Sequence, residues 1–327
     1  MLALLAALLL TGPGTDPESP RGVAKIAIVQ GPVEVSGSAQ AAKAGDEVEA
    51  GATITTPAGS RAVFDLPDGS EVRVAENTVV VLEGPRKLDL KKGKVLVKVV
   101  KSGPRFEINT EHVPVLADQA LVEVEYVPKV PNEEPARTHV RVLDGLAKAT
   151  TKKFSAAVNA GFHVGSYGSQ LNTPDPLRSG PLETAWVHPL LLERGRADEE
   201  TQTRAMELVG LLGRETPNDP AEAALRSLGD LATAELARFL TRSAGGPQPA
   251  RRTAAVHIIA ETGTLKSAGA LVSLLQHPEP EIREVAARGL ARLNGGKDLG
   301  FNDKYWQGES RDAGQKAWED WLKQNAK

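Results

Sequence analysis

No cysteine occurs anywhere in the chain. That excludes disulfides, a thiol nucleophile, thiolate zinc sites and iron–sulfur clusters. Aromatic residues are also scarce, at 4% of 327 residues, so any core must be built from Val, Leu, Ile and Ala. Neither sign of charge dominates: 39 basic and 42 acidic side chains give a formal net charge of −3. No global field therefore selects for nucleic acid or an anionic membrane. The opening apolar run, residues 1–10, falls short of the roughly 20 residues needed to span a bilayer. It has the length of an export-signal core and ends at the breakers Thr11, Gly12, Pro13 and Gly14. A basic start and a small-x-small cleavage site are missing. The run is expected to direct the protein to the periplasm or outside the cell, as a signal or an anchor, and no firm transmembrane helix is expected.

At 41% hydrophobic and 25% charged residues, the sequence has the proportions of a globular chain long enough for two domains. From residue 23 to about 164 the hydrophobic period is two. Ala62, Phe64 and Leu66 alternate with Val63 and Asp65, and Val72 and Val74 with Glu71 and Arg73. Val95, Val97 and Val99 share one face, with Lys94 and Lys98 on the other, and Val122, Val124 and Tyr126 alternate with Glu123 and Glu125. Turn pairs such as Asp68-Gly69, Lys92-Gly93 and Asp144-Gly145 separate these runs. The pattern predicts many short half-buried strands in hairpins or coils.

After a Pro-rich stretch the period becomes helical. Leucines and alanines fall at helix spacing over 201–212, 221–231, 250–261, 265–276, 281–293 and 312–324, and Leu236, Phe239 and Leu240 mark a further helix. Aligning Arg252 with Arg283, 31 residues on, pairs Ala255 with Ala286 and Ile259 with Leu290. Helix pairs repeating at this interval stack, since one pair cannot cover its own apolar face. The expected fold class is all-β followed by all-α. Residues 1–22 form an apolar segment and linker, 23–170 a β domain, 171–181 a second linker and 182–327 a helical repeat domain. The halves are expected to be two separate scaffolds.

No chemistry-bearing constellation emerges. The six histidines (His112, His139, His163, His188, His257 and His277) show no i, i+4 pair, so no helical zinc site is expected. The Gly161–Ser166 stretch lacks the flanking glycine of a nucleophile elbow. Asp65, Asp68 and Gly69 fit a hairpin turn better than a calcium loop. Residues 86–105 hold eight basic side chains against Asp89 alone. Without interleaved aromatics to stack on bases, these are expected to keep an outward strand face soluble. No catalytic residue, cofactor or metal is expected.

Two resemblances add to this. Gly45-Asp46-Glu47-Val48, Gly51-Ala52-Thr53-Ile54, the run Ser60 through Val74, Leu88 through Val95, Phe106-Glu107-Ile108-Asn109-Thr110 and Val140 through Gly145 resemble the FecR domain over about 23–166. In place of that family's Gly-Thr-aromatic turn the chain has Ala117-Asp118-Gln119-Ala120. Pro280-Glu281-Ile282-Arg283 through Ala291, with a weaker copy at 251–260, resembles HEAT repeats. The tail 301–322, with Tyr305, Trp306, Trp318 and Trp321, looks like a terminal cap.

The HEAT resemblance implies that second helices line a groove, making Arg252, His257, Arg283 and Arg288 the candidate partner-binding residues. Together the resemblances imply a non-enzymatic extracytoplasmic binding or scaffold protein in envelope signalling or assembly, with a protein partner. An alternative is a FecR-type regulator of extracytoplasmic-function sigma factor signalling. A bilin-lyase-like enzyme is a third reading, with no matching catalytic residue.

Overall fold

The computed structural model describes residues 22–38, 40–100, 103–131, 134–214, 219–300 and 309–325. Alternation produces strands where the sequence predicts them: β1 (Ala24–Gln30), β2 (Glu34–Val35), β3 (Glu47–Val48), β4 (Ala52–Thr56), β5 (Arg61–Asp65), β6 (Glu71–Val74), β7 (Thr78–Gly84) and β8 (Lys87–Lys98). They continue as β9 (Phe106–Asn109), β10 (Val115–Val127), β11 (Arg137–Thr150), β12 (Ser155–Asn159), β13 (Phe162–Tyr167), β14 (Gln170–Leu171) and β15 (Asp175–Pro176). The last two pair with β13, so the stretch expected to be a linker partly extends the sheet.

The strands form one largely antiparallel sheet that folds over itself. The fold-over happens within β8, whose first half pairs with β7 and whose second half pairs with β6 and β10. Gly93 sits at that change of partner with φ +93°, and a Cβ there would lie 2.3 Å from Thr78 Oγ1. Only glycine fits so tight a bend. The enclosed core is aliphatic, with Val72, Val74, Val95, Val97, Val122, Val124 and Val140 joined by Phe64 and Phe106.

The helices are α1 (Gly180–Glu183), α2 (His188–Arg194), α3 (Glu199–Leu211), α4 (Pro220–Leu228), α5 (Thr233–Ser243), α6 (Pro249–Thr262), α7 (Ala268–Leu274), α8 (Pro280–Leu293) and α9 (Glu309–Asn325). Asp198 caps α3 by accepting the Thr201 N–H at 3.0 Å, and Asp219 caps α4. Both α6 and α8 begin on proline, the position that needs no N–H partner, and their bounds differ by 31 residues at each end. They approach closely because Gly289 faces Ala260: a Cβ on the glycine would lie 2.9 Å from that residue's backbone. Trp318 of α9 is fully buried and meets Trp321 edge-on, ring centroids 5.4 Å apart. Phe301, Tyr305 and Trp306 of the expected cap lie outside the described residues.

The halves are not separate scaffolds. Leu96 of β8 and Leu121 of β10 point away from the sheet's interior and join the helical core with Val187, Leu191 and Leu208. Ile28 and Val63 do the same with Leu190. The outer sheet face, expected to meet water, is thus covered by residues 180–208.

Candidate functional site

Strand alternation sends Glu71 and Arg73 of β6 and Lys98 of β8 to this covered face, while their neighbours Val72, Val74 and Val97 enter the core. Opposite them the first turn of α3 places Asp198 and Glu200, and one helical turn later Arg204. Arg73 forks onto Glu200, Nη1 to Oε1 at 2.5 Å and Nη2 to Oε2 at 2.9 Å, and its Nε donates to Glu71 Oε1 at 2.5 Å. Arg204 Nε also donates to Glu200, and Lys98 Nζ bridges Asp198 and Glu200 at 3.1 and 3.2 Å. Arg194 of α2 closes the cluster on Glu71 and Asp65. Four cations therefore meet four carboxylates.

Arg73 is 2% exposed. Burial alone lowers a guanidinium's affinity for its proton, yet Glu200 and Glu71 outweigh it and hold Arg73 above its ordinary value. For Glu200, burial pushes the pKa up, but Arg73, then Arg204 and Lys98, drive it far below the carboxylate range. Both signs agree that Arg73 and Glu200 are ionised; Arg204, held by Glu200 through Nε, keeps a buried Nη2 that makes no hydrogen bond to the described residues.

A second cluster lies alongside. Glu123 of β10 is fully buried and accepts from Trp186 Nε1 at 2.6 Å and from Arg141 Nη1 at 2.7 Å. Arg141 of β11 also reaches Glu125 and Glu183. Behind α3, His188 is completely buried, its Nδ1 2.9 Å from Ser227 Oγ and 3.2 Å from Ala224 O. Burial, reinforced by the charge of Arg204, pushes its pKa down to about 3, so the ring is neutral.

Where the charged face ends, the halves part into a cleft of about 620 Å³. Its sheet wall is an irregularity shared by β10 and β11, whose register shifts between Asp118 and Leu121. Gln119 there has φ +42°, a left-handed conformation rare for a residue with a side chain. Gly145 opposite has φ +75°, and a Cβ on it would lie 2.0 Å from the Gln119 carbonyl oxygen. The bulge pushes Gln119 and Asp144 outward and leaves Leu121 and Leu143 as apolar lining. Leu177 and Pro181 continue the lining, and α3 contributes Glu199, Thr203, Arg204 and Glu207. Burial holds the Glu207 carboxyl above its ordinary range, against the pull of Arg204. Strained backbone beside a cleft is where binding sites concentrate.

The four residues expected to bind a partner lie on α6 and α8, outside the cleft's lining. Arg252 is 4% exposed, with its Nε 2.7 Å from Glu279 and its Nη1 donating to Gly246 O. Arg283 donates to His277 O and Pro278 O. Each arginine thus binds the carbonyl six residues before it, so the repeat copies a bond that ties each helix to the preceding turn. His257 is half-buried beside Glu261, and Arg288 is exposed beside Glu284. The basic stretch is likewise divided: Lys98 and Lys94 face carboxylates on the covered side, and Arg86 binds Asp68 and Pro104 O. Asp68 closes the β5–β6 turn onto Ser70, as a hairpin requires. Ser166 lies within β13, where its Oγ accepts the Thr138 N–H. Among the described residues no group of three or more His, Asp or Glu could hold a metal ion, and no helix is long and apolar enough to cross a membrane.

Sequence reasoning found the strands of the charged face but missed their partners in 180–204. The one signal near the cleft was Ala117-Asp118-Gln119-Ala120, where the chain leaves the FecR pattern; that segment is the bulge.

The FecR protein family matches residues 52–148, from β4 to near the end of β11. This is narrower than the 23–166 expected, and it includes Glu71, Arg73, Lys98, Glu123, Arg141 and both sides of the bulge. No curated protein matches the chain. Two solved structures of a protein described as a candidate anti-sigma factor from Parabacteroides distasonis ATCC 8503 are similar at 18% and 17% identity, each with a TM-score of 0.36. Each alignment covers 42% of this chain and 64% of that protein, so the likeness spans less than two thirds of the relative's length.

Proposed function

We propose that the chain is a FecR-type regulator that acts by binding other proteins, with the cleft beside the β10–β11 bulge as the contact site. The observation that carries this is the coincidence of the 52–148 family match with the strands that form the cleft's wall. A preformed concavity between two elements is a common ligand position. The mechanism is complementarity and desolvation at that surface, with no bond made or broken. This favours regulation over a purely structural scaffold. Control of sigma-factor signalling from the outer side of a membrane is the finer form of the proposal. The helical half we read as a short HEAT-like stack, on the strength of the 31-residue offset of α6 and α8 and the arginine bond repeated in each.

The experiment is photo-crosslinking in intact cells, with a benzophenone amino acid at Gln119 or Thr203 and, separately, at Arg288. Capture of one defined envelope or signalling protein from the cleft positions, absent from Arg288, is the expected result. No capture from any position by an expressed, folded chain overturns the reading.

A further inference from the structure

The cleft has a chemical character that goes beyond its being a contact site. Its less exposed lining is apolar: Leu121 is buried, and Leu143 and Leu177 are half-buried. Its exposed lining carries three acids, Asp144, Glu199 and Glu207, beside the uncharged Gln119 and Thr203.

The other charges of the lining are largely neutralised within the protein. Lys98 is held by Asp198 and Glu200, and Arg204 by Glu200. No ion pair among the described residues holds Glu199 or Glu207, and Asp144 accepts only the N–H of its neighbour Gly145. Against these three carboxylates stands, among the described lining residues, one exposed base without such neutralisation, Arg178. The surplus is therefore acidic, and it surrounds an apolar lining. The chain's overall charge, −3 over 327 residues, does not account for that local concentration. Glu207 sits where burial opposes its charge, a cost that an incoming cation would relieve.

We propose that the cleft receives a segment of a protein partner in which an apolar side chain is flanked by lysines or arginines. The apolar side chain enters between Leu121, Leu143 and Leu177, and the flanking cations meet Asp144, Glu199 and Glu207. A volume of about 620 Å³ suits a few side chains and not a folded domain, so the recognised element is a short peptide segment. Apolar burial supplies the affinity, and the acidic surround supplies orientation and selection against acidic competitors. This rests on the protein-binding reading above and names the class of partner.

The test uses the full chain and two fluorescein-labelled peptides. One has a central Leu-Phe pair with two lysines on each side, and the other has glutamates in place of the lysines. Fluorescence anisotropy at low salt is expected to show binding of the basic peptide only. Glu199→Lys with Glu207→Lys, both exposed and compatible with folding, is expected to weaken it by roughly tenfold or more. Leu143→Ser is expected to weaken it without changing its salt dependence, and Glu281→Lys, on exposed α8 surface, to leave it unchanged. Circular dichroism confirms that each variant is folded. Equal binding of both peptides, no binding of the basic one, or indifference to the double charge reversal overturns the proposal. The two readings fail separately. If the double reversal leaves capture in cells intact, the cleft chemistry falls and the regulator reading stands. If the peptide binds as expected and nothing is captured in cells, the regulator reading falls.

Discussion

The same strands present two covered faces that are chemically opposite. Inward, β6, β8 and β10 carry Val72, Val74, Val95, Val97, Val122 and Val124; outward they carry Glu71, Arg73, Leu96, Lys98 and Glu123. The inner face is held by apolar burial, which is non-directional and tolerates modest change of shape. The outer face gains less net energy, because each ion loses its water before it gains a partner. What it gains is position. Glu200 accepts from Arg73 through both oxygens and from Arg204 and Lys98 as well, so α3 has one satisfied placement on the sheet. That placement sets the cleft's width, since Lys98, Glu200 and Arg204 also line it.

The largest expected effect comes from removing one ion from the outer face. Arg73→Ala leaves Glu71 and Glu200 buried without their main partner and is expected to cost about 3–5 kcal/mol in urea unfolding. On the inner face, Leu90→Ala is expected to cost a similar 2–5 kcal/mol through a cavity. The faces separate on double replacement. Arg73→Met with Glu71→Leu removes both charges of one pair while Glu200 keeps Arg204 and Lys98 and Arg194 keeps Asp65, and is expected to recover part of the loss, whereas no second substitution refills the Leu90 cavity so simply. If the double variant is no more stable than Arg73→Ala, the outer face is not the ion-paired surface described here.

Acid is expected to act on the outer face and the helical core behind it, and to spare the inner sheet face. His188 is neutral when folded, with a pKa of about 3 against an ordinary value near 6.5. The unfolded chain therefore takes up that proton first, and stability falls as pH drops from about 6.5 toward 3. The slope from this one group approaches about 1.4 kcal/mol per pH unit. Glu200 has the same sign: its lowered pKa gives stability that is complete above the ordinary carboxylate range and is lost below it. Between pH 6.5 and about 5, where carboxylates of ordinary pKa still stay ionised, His188 is expected to carry much of the slope, together with His139, whose pKa burial also lowers. His188→Gln should flatten that part of a stability–pH curve; an unchanged slope would remove His188 from the account.

The inner face was legible in the sequence because Val at every second position has one interpretation. The outer face was not, for a physical reason. A charged residue at alternate positions looks the same whether water or a counter-charge covers it, so Glu71, Arg73 and Lys98 read as solvated. Their partners lie about 100 to 130 residues away in sequence, and nothing local registers Glu200 against Arg73. Helices α1 and α2, of four and seven residues, escaped notice because such short runs hold too few turns to show a period. The longer helices α3 to α6 and α8 fell close to their expected places. The bulge was visible only as a departure from the FecR pattern, since its cause is backbone geometry at Gln119 and Gly145. Gly145→Ala puts a Cβ against the Gln119 carbonyl and is expected to cost about 1–3 kcal/mol and to weaken basic-peptide binding, both read on the same preparation. Stability lost with binding intact would detach the bulge from the cleft.

The smallest expected effects lie in the helical half, where the comparison repeats within one architecture. Arg252 and Arg283 make the same bond to the carbonyl six residues back, but Arg252 is nearly fully buried and also pairs with Glu279. Burial works against the Glu279 charge, yet Arg252 and the Gly245 N–H hold its pKa below the ordinary value. Charge-assisted hydrogen bonds contribute about 1.5–3 kcal/mol when buried, and exposed pairs contribute under about 1. Arg252→Gln is therefore expected to fall in the first range, and Arg283→Gln, whose side chain is less deeply buried, to cost less than Arg252→Gln, measured by chemical unfolding. Neither is expected to alter basic-peptide binding, because both arginines serve turns remote from the cleft. A loss of peptide binding in Arg283→Gln with stability intact would return these arginines to the partner-binding role that the repeat pattern first suggested, and would make the helical groove, not the cleft, the surface to pursue.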